Sequence, residues 1–305
     1  MKGADDMHYT GTIWRPPYEA SSLLLEVTAG CTHHKCKFCT LYDDIPFKFR
    51  MSPLEDIEAD LIEAKEQFRL WKQHKIYRTF LTGANPFVLK FERLMTIAIM
   101  IKKYFPESQT IGCFSRITDI SLKTDDELQE LRSVGYDGLT IGIESGDDAA
   151  LKFMNKGYVS SDIVEQCKRL DQAGISYSFF YLTSISGAGC GEEGARLTAE
   201  VCNKIHPKLV GANMLTIYPQ SELYQEIQKG NWKEESEIEK YKELRVLVEK
   251  LTISTVFAAL GASNAIPIQG KLPEDRERLL NILDEIIINA SEEELRNYRK
   301  NLPHL

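Results

Sequence analysis

No run of apolar residues in this 305-residue sequence is long enough to cross a bilayer. The longest, Leu94 to Ile101, is broken by Thr96 and followed at once by Lys102 and Lys103, whereas a spanning helix needs roughly 18 or more apolar residues. An excess of positive charge is missing too. Lys and Arg number 37 and Asp and Glu 45, for a formal charge of −8. Gripping a nucleic-acid backbone or an anionic membrane rewards a basic surface, so neither is the expected task. The first twenty residues hold Asp5, Asp6 and Arg15 but no apolar core of a secretory signal, which makes a cytoplasmic location the expectation. There is no low-complexity tract. At 43% apolar and 27% charged, the chain has ordinary globular usage and enough material for a sizeable core.

What is present is alternation. Short apolar runs recur at residues 23–27, 78–81, 110–114, 139–143, 177–182 and 210–217, with helical patterns between them. Leu54, Ile57, Leu61, Ala64, Phe68 and Trp71 share one face of an amphipathic helix, opened by Ser52-Pro53-Leu54-Glu55 in the manner of a capping box. Thr124-Asp125-Asp126-Glu127 and Ser291-Glu292-Glu293-Glu294 read the same way. The later strands begin one right-handed strand–helix crossover apart, and continuous apolar strands suit a parallel sheet covered on both faces.

Six such units precede residue 220 or so. The expected fold is α/β, a partial (β/α)6 TIM barrel over residues 22–220. An N-terminal extension (1–21) precedes it, and a mostly helical C-terminal extension (221–305) could close its open side. A doubly wound sheet shares the alternation; in either fold the site lies at the carboxyl ends of the strands. Helices are expected at 236–251, 275–289 and 291–300, with an apolar run at 252–260 and an irregular connection through Gly261–Asn264 and Pro267–Pro273.

Seven cysteines are an odd number, and three of them, Cys31, Cys36 and Cys39, crowd into nine residues directly after the first predicted strand. In a large chain without a secretory signal, that crowding points to metal or cluster ligation and away from a disulfide framework. Three thiolates on one loop can hold an iron–sulfur cluster and leave one iron open to another ligand. The alternative on these residues is a structural zinc site completed by His33 or His34, in a binding module without turnover. Cys167 and Cys202 lie among apolar helical neighbours and read as packing residues. Cys190 sits on a glycine-rich loop, and Cys113 lies in the third strand, where a side chain facing the barrel could donate a hydrogen atom.

The loop Gly30-Cys31-Thr32-His33-His34-Lys35-Cys36-Lys37-Phe38-Cys39 resembles that of a subgroup of the radical S-adenosylmethionine (radical SAM) superfamily with C-x4-C-x2-C spacing. Relatives of this kind include the elongator, methylthiotransferase and oxygen-independent coproporphyrinogen oxidase types. Further segments follow in the family's order: Thr82-Gly83-Ala84-Asn85, Ser115-Arg116 with Asp119 nearby, Gly142-Ile143-Glu144-Ser145-Gly146, Asn155-Lys156-Gly157 and Ala262-Ser263-Asn264.

The resemblance implies one 4Fe–4S cluster on the three cysteines and SAM as the second cofactor. It implies a backbone contact to adenine at Phe38 and a methionine wall from Thr82, Gly83 and Asn85. Further SAM contacts are implied for Ser115, Arg116, Glu144, Ser145 and Lys156, with Glu144 on the ribose. The reaction implied is reductive cleavage of SAM to methionine and a 5′-deoxyadenosyl radical that attacks a small-molecule substrate. The electron would come from a donor such as flavodoxin or ferredoxin.

The later segments match less well. Thr183-Ser184-Ile185-Ser186-Gly187 and Pro219-Gln220-Ser221-Glu222-Leu223-Tyr224 depart from the subgroup's pattern, which leaves the substrate open. RNA modification is the rival among enzymes, but it usually brings an extra domain or a second cysteine trio. A corrin-dependent methyl transfer is disfavoured because no recognisable cobalamin-binding segment precedes residue 22.

Overall fold

The computed structural model describes residues 7–70 and 75–302; Trp71 of the predicted helical face and residues 1–6 of the predicted N-terminal extension lie outside the described residues. Two compact units are present among the described residues, one of residues 7–34, 41–70, 75–141 and 172–176, the other of 35–40, 142–171 and 177–302.

In the first unit, β1 (Leu23–Glu26) is followed by a short hairpin of β2 (Thr28–Gly30) and β3 (Phe49–Met51). Helix α1 (Leu54–Leu70), β4 (Arg78–Thr82), α2 (Phe91–Tyr104), β5 (Thr110–Ser115), α3 (Ile117–Ile120), α4 (Asp125–Ser133) and the start of β6 (Tyr136–Glu144) complete it. Strands β1, β4, β5 and β6 run parallel in that order. Leu25, Leu81, Cys113 and Leu139 fall in one register row, every one of them fully buried. Successive side chains on a strand face opposite ways, so Phe80 and Phe114 stand on the other face, their rings edge-on at 5.2 Å. Thr124 forms the expected capping box with Glu127 at the start of α4.

The amino ends of three strands meet at one guanidinium. Arg78 grips Glu19 through Nε and Nη2 at 2.6–3.0 Å and reaches Thr110 Oγ1 at 3.0 Å and Asp137 O at 3.1 Å. Nothing in the sequence pattern announces this clasp, whose partners lie up to 59 residues from Arg78.

The second unit holds α5 (Asp148–Phe153), α6 (Ser160–Ala173, its last two residues counted with the first unit), β7 (Tyr177–Thr183), α7 (Gly191–Cys202), β8 (Leu209–Met214) and α8 (Glu222–Gln228). After these come α9 (Glu237–Lys250), β9 (Thr255–Ala259), β10 (Ile268–Leu272), α10 (Arg276–Asn289) and α11 (Glu292–Lys300). Strands β7, β8 and β9 are parallel, and β10 returns antiparallel to β9.

All six expected strands are present, and the mixed α/β architecture is that of a partial barrel with a helical C-terminal extension. The extension also carries β9 and β10, where the sequence pattern shows only an apolar run and an irregular connection. Strand β10 is five residues with buried and exposed positions alternating, too short for its period to stand out beside Pro267 and Pro273; pairing with β9 makes it a strand. Ser291 caps α11 by accepting from Glu294 N. Among the described residues no helix is long and apolar enough to cross a membrane.

Candidate active site

The cysteine loop begins at the end of β2, where Cys31 N donates to Lys48 O at 2.8 Å. Gly30 adopts φ +77°, and a Cβ there would sit 2.2 Å from that same carbonyl, so glycine is required for the loop to depart. None of the seven cysteines forms a disulfide. Cys31 and Cys36 are partly exposed and Cys39 is exposed. In the second unit, Cys39 N donates to Cys36 O at 3.1 Å, closing a turn. Lys37 N donates to Met154 O at 3.2 Å, and Lys37 O accepts from Leu223 N at 2.7 Å. Phe38, inside the turn, packs on a buried apolar cluster that includes Met154, Ile185, Leu215 and Leu223.

The first unit carries the segment expected to wall the methionine. Gly83 has φ +127°, and a Cβ would lie 2.0 Å from Thr28 Oγ1; no other residue fits. Thr28 Oγ1 and Thr82 Oγ1 are buried hydroxyls with no hydrogen-bond partner among the described residues. Such groups are uncommon and mark a polar site. Asn85 is fully buried. Its Nδ2 donates to Thr32 Oγ1 at 2.8 Å and to both Asp119 carboxylate oxygens at 3.1 Å, and its Oδ1 accepts from Thr32 N at 3.4 Å. Asp119 also accepts from Arg116 N at 2.8 Å. Burial pushes the Asp119 carboxyl up to about 6 against these bonds. Ser115 Oγ donates to Arg116 O, and Arg116 Nη1 to Thr118 Oγ1, both at 3.0 Å.

In the second unit, Glu144 ends β6 with φ +62°, a left-handed conformation that is uncommon for a non-glycine residue and frequent at functional sites. Its Oε1 accepts from Lys156 Nζ at 2.9 Å. Lys156 also donates to Gly142 O at 3.2 Å, and its ammonium lies 5.8 Å from the Phe38 ring centre and 5.5 Å from that of Tyr158. Burial would push this ammonium down. The neighbouring Glu144 carboxylate, through its charge and its hydrogen bond, overcomes that and holds the group above its ordinary value. Ser145 is fully buried; its hydroxyl accepts from Asp147 N at 3.0 Å and lies 3.5 Å from Thr198 Oγ1. Helix α5 is capped by Asp147, which accepts from Ala149 N at 2.8 Å, so Glu144 is not needed as the cap.

Cys113 does not meet the condition set for a hydrogen-atom donor. It shares a strand face with Ile111, whose register partner Tyr136 donates to Leu94 O on α2 at 2.8 Å. The thiol therefore faces the helix layer, in its row of leucines, and burial pushes its ionisation up. Cys167 and Cys202 are fully buried on α6 and α7. His34 Nε2 lies 3.4 Å from Asp43 Oδ1, a contact within its own loop. Among the described residues no three His, Cys, Asp or Glu side chains are arranged to grip one metal ion. The fit to a cluster rests on the donor set, three thiols within nine residues of one loop.

The profile of the radical SAM superfamily matches residues 25–187, more than half of the chain. The chain belongs to the radical SAM superfamily. As a member it is a radical SAM enzyme, and the cofactors of that superfamily are a 4Fe–4S cluster and SAM.

Solved structures similar to it include the radical SAM methyltransferase TsrM from Kitasatospora setae, with cobalamin and a 4Fe–4S cluster bound. That match has TM-score 0.55 and 16% identity, over 68% of this chain and 39% of that one. Coproporphyrinogen III oxidase (HemN) from Escherichia coli, a radical SAM enzyme, matches at TM-score 0.55 and 15% identity, over 76% of this chain and 52% of that one. Methylornithine synthase (PylB) matches at TM-score 0.50 and 14% identity, over 91% and 85%. At these identities the likeness is one of fold, and the chain spans about 39–52% of the first two. Among curated proteins no match to the chain is found.

Of the residues expected from sequence, the structure joins Glu144 to Lys156 and sets Phe38 beside them. Asn85 is tied to the loop at Thr32. Two participants were not in the expected set. Thr32, a hydroxyl beside the first cysteine, was the readable signal for one; Tyr158, which donates to Gly142 O at 2.9 Å, had none.

Proposed function

We propose that this radical SAM enzyme uses its 5′-deoxyadenosyl radical to abstract hydrogen from, or add to, a small-molecule substrate in the cytoplasm. An electron donor of the flavodoxin or ferredoxin kind would serve it. The superfamily match over residues 25–187, which includes the Cys31, Cys36 and Cys39 loop, carries the reading. The formal charge of −8 supports a small substrate over nucleic acid.

When bound and reduced, the cluster supplies the electron that splits the sulfonium bond of SAM. Cys31, Cys36 and Cys39 would hold that cluster by their thiolates. Glu144, oriented by the Lys156 hydrogen bond, would accept from the ribose hydroxyls; a carboxylate taking two hydroxyl donors is a strong, directional anchor. The Phe38 backbone would meet adenine, and Ser145 braces the turn that carries Glu144 by accepting from Asp147 N. Thr82, Gly83, Ser115 and Arg116 would form the polar wall for the methionine moiety.

Anaerobic purification with metal analysis and a dithionite assay for 5′-deoxyadenosine tests this. About four irons and four sulfides per chain, with SAM-dependent 5′-deoxyadenosine, is the expected result. Colourless protein holding one zinc would end the reading.

A further inference from the structure

Asn85 sits where the resemblance expects a methionine contact, yet its amide is already engaged inside the first unit. Both polar atoms of the side chain are used, Nδ2 on Thr32 Oγ1 and on Asp119, Oδ1 on Thr32 N. Asp119 is in turn fixed by Arg116 N at the start of α3. The chain of contacts runs from α3 through a buried carboxylate and a buried amide to the residue next to Cys31. A carboxylate accepting from both the amide and a backbone N–H orients that amide, because only the NH2 end of Asn85 can face it. The oxygen end is then left to meet Thr32 N.

We infer that Asn85, oriented by Asp119, is a positioning residue for the cluster loop: it acts through Thr32 to hold the backbone at Cys31. The inference rests on the cluster assignment above. It differs from that assignment in giving the Asn85 side chain to the protein's own loop and not to SAM.

Thr32 is exposed, so Thr32→Val removes the hydroxyl that Asn85 contacts without opening the core. The reconstituted variant should lose iron to a chelator about tenfold faster than wild type, the factor of one net hydrogen bond. The EPR signal of its dithionite-reduced cluster should shift before any SAM is added. Thr32→Ser should restore both, and the melting temperature of the metal-free protein should not change. Asn85→Ala should reproduce the cluster phenotype more strongly. Wild-type iron loss and EPR in Thr32→Val overturn the inference. So does an Asn85→Ala effect that appears only when SAM is added, which would return Asn85 to the methionine wall. If wild type itself takes up no iron and sulfide, the cluster assignment falls and the inference falls with it.

Discussion

Lys156 Nζ stands 2.9 Å from Glu144 Oε1, with side chains only 5% and 12% exposed. Removing one partner of such a pair leaves an uncompensated charge and costs about 3–5 kcal/mol, whereas removing both charges together costs far less. Lys156→Met should therefore melt well below wild type, and Glu144→Gln combined with Lys156→Met should recover most of the loss. SAM affinity should not recover in the double variant, because the charged acceptor for the ribose is gone. Its loss, roughly 1.5–3 kcal/mol, is about ten- to a hundred-fold. Titration calorimetry and thermal melts on one preparation check this. Wild-type SAM affinity in the double variant would take Glu144 off the ribose.

Changing Cys31, Cys36 or Cys39 singly to Ala should abolish cluster assembly, since two thiolates do not hold the cube on this loop. The readout is iron and sulfide content with the visible absorbance of the reconstituted protein. His33→Ala should leave iron content at the wild-type value. A fall there would bring histidine ligation back into consideration.

Asp119 gives a pH prediction with a definite sign. Its carboxyl is raised to about 6 in the folded protein by burial and lies near 3.9 in an unfolded chain. Between those values the folded state keeps a proton that the unfolded state releases, so the group's stabilisation is full below about pH 4 and is lost as pH rises through about 6. The difference is on the order of 3 kcal/mol. Urea midpoints taken from pH 4.5 to 7 should fall more for wild type than for Asp119→Asn. Parallel pH profiles would show that Asp119 does not titrate in this window.

Arg78 makes three hydrogen bonds to Glu19, which is 1% exposed. Arg78→Met should destabilise by about 3–5 kcal/mol because Glu19 is left buried without an opposite charge, keeping the Ser22 hydroxyl as a neutral donor, and Glu19→Leu in the same chain should recover much of it. A double-mutant cycle by chemical denaturation measures the coupling. A coupling energy near zero would mean that the clasp does not stabilise the first unit.

The cysteine loop and the βα alternation were legible without coordinates, because both are local. Thiolate spacing is written in the chain, and strands buried on both faces are continuous apolar runs. The three-residue strands β2 and β3 and the five-residue β10 carry too little period to be read, and exist through their partners. Glu144 and Lys156 were each expected near SAM, but not as a pair. Asn85 and Asp119 lie 34 residues apart, and nothing along the chain says that the amide would be spent on Thr32.

Cys113 marks the same boundary. Its place in a strand was readable; the face it takes was decided by the register that sets Ile111 opposite Tyr136. By itself the sequence determined the donor set, the strand order along the chain and the superfamily. The tertiary structure decided which polar atoms are already satisfied. That depends on what burial brings within about 3 Å, and an enclosed polar group without a partner costs more than almost any single contact returns.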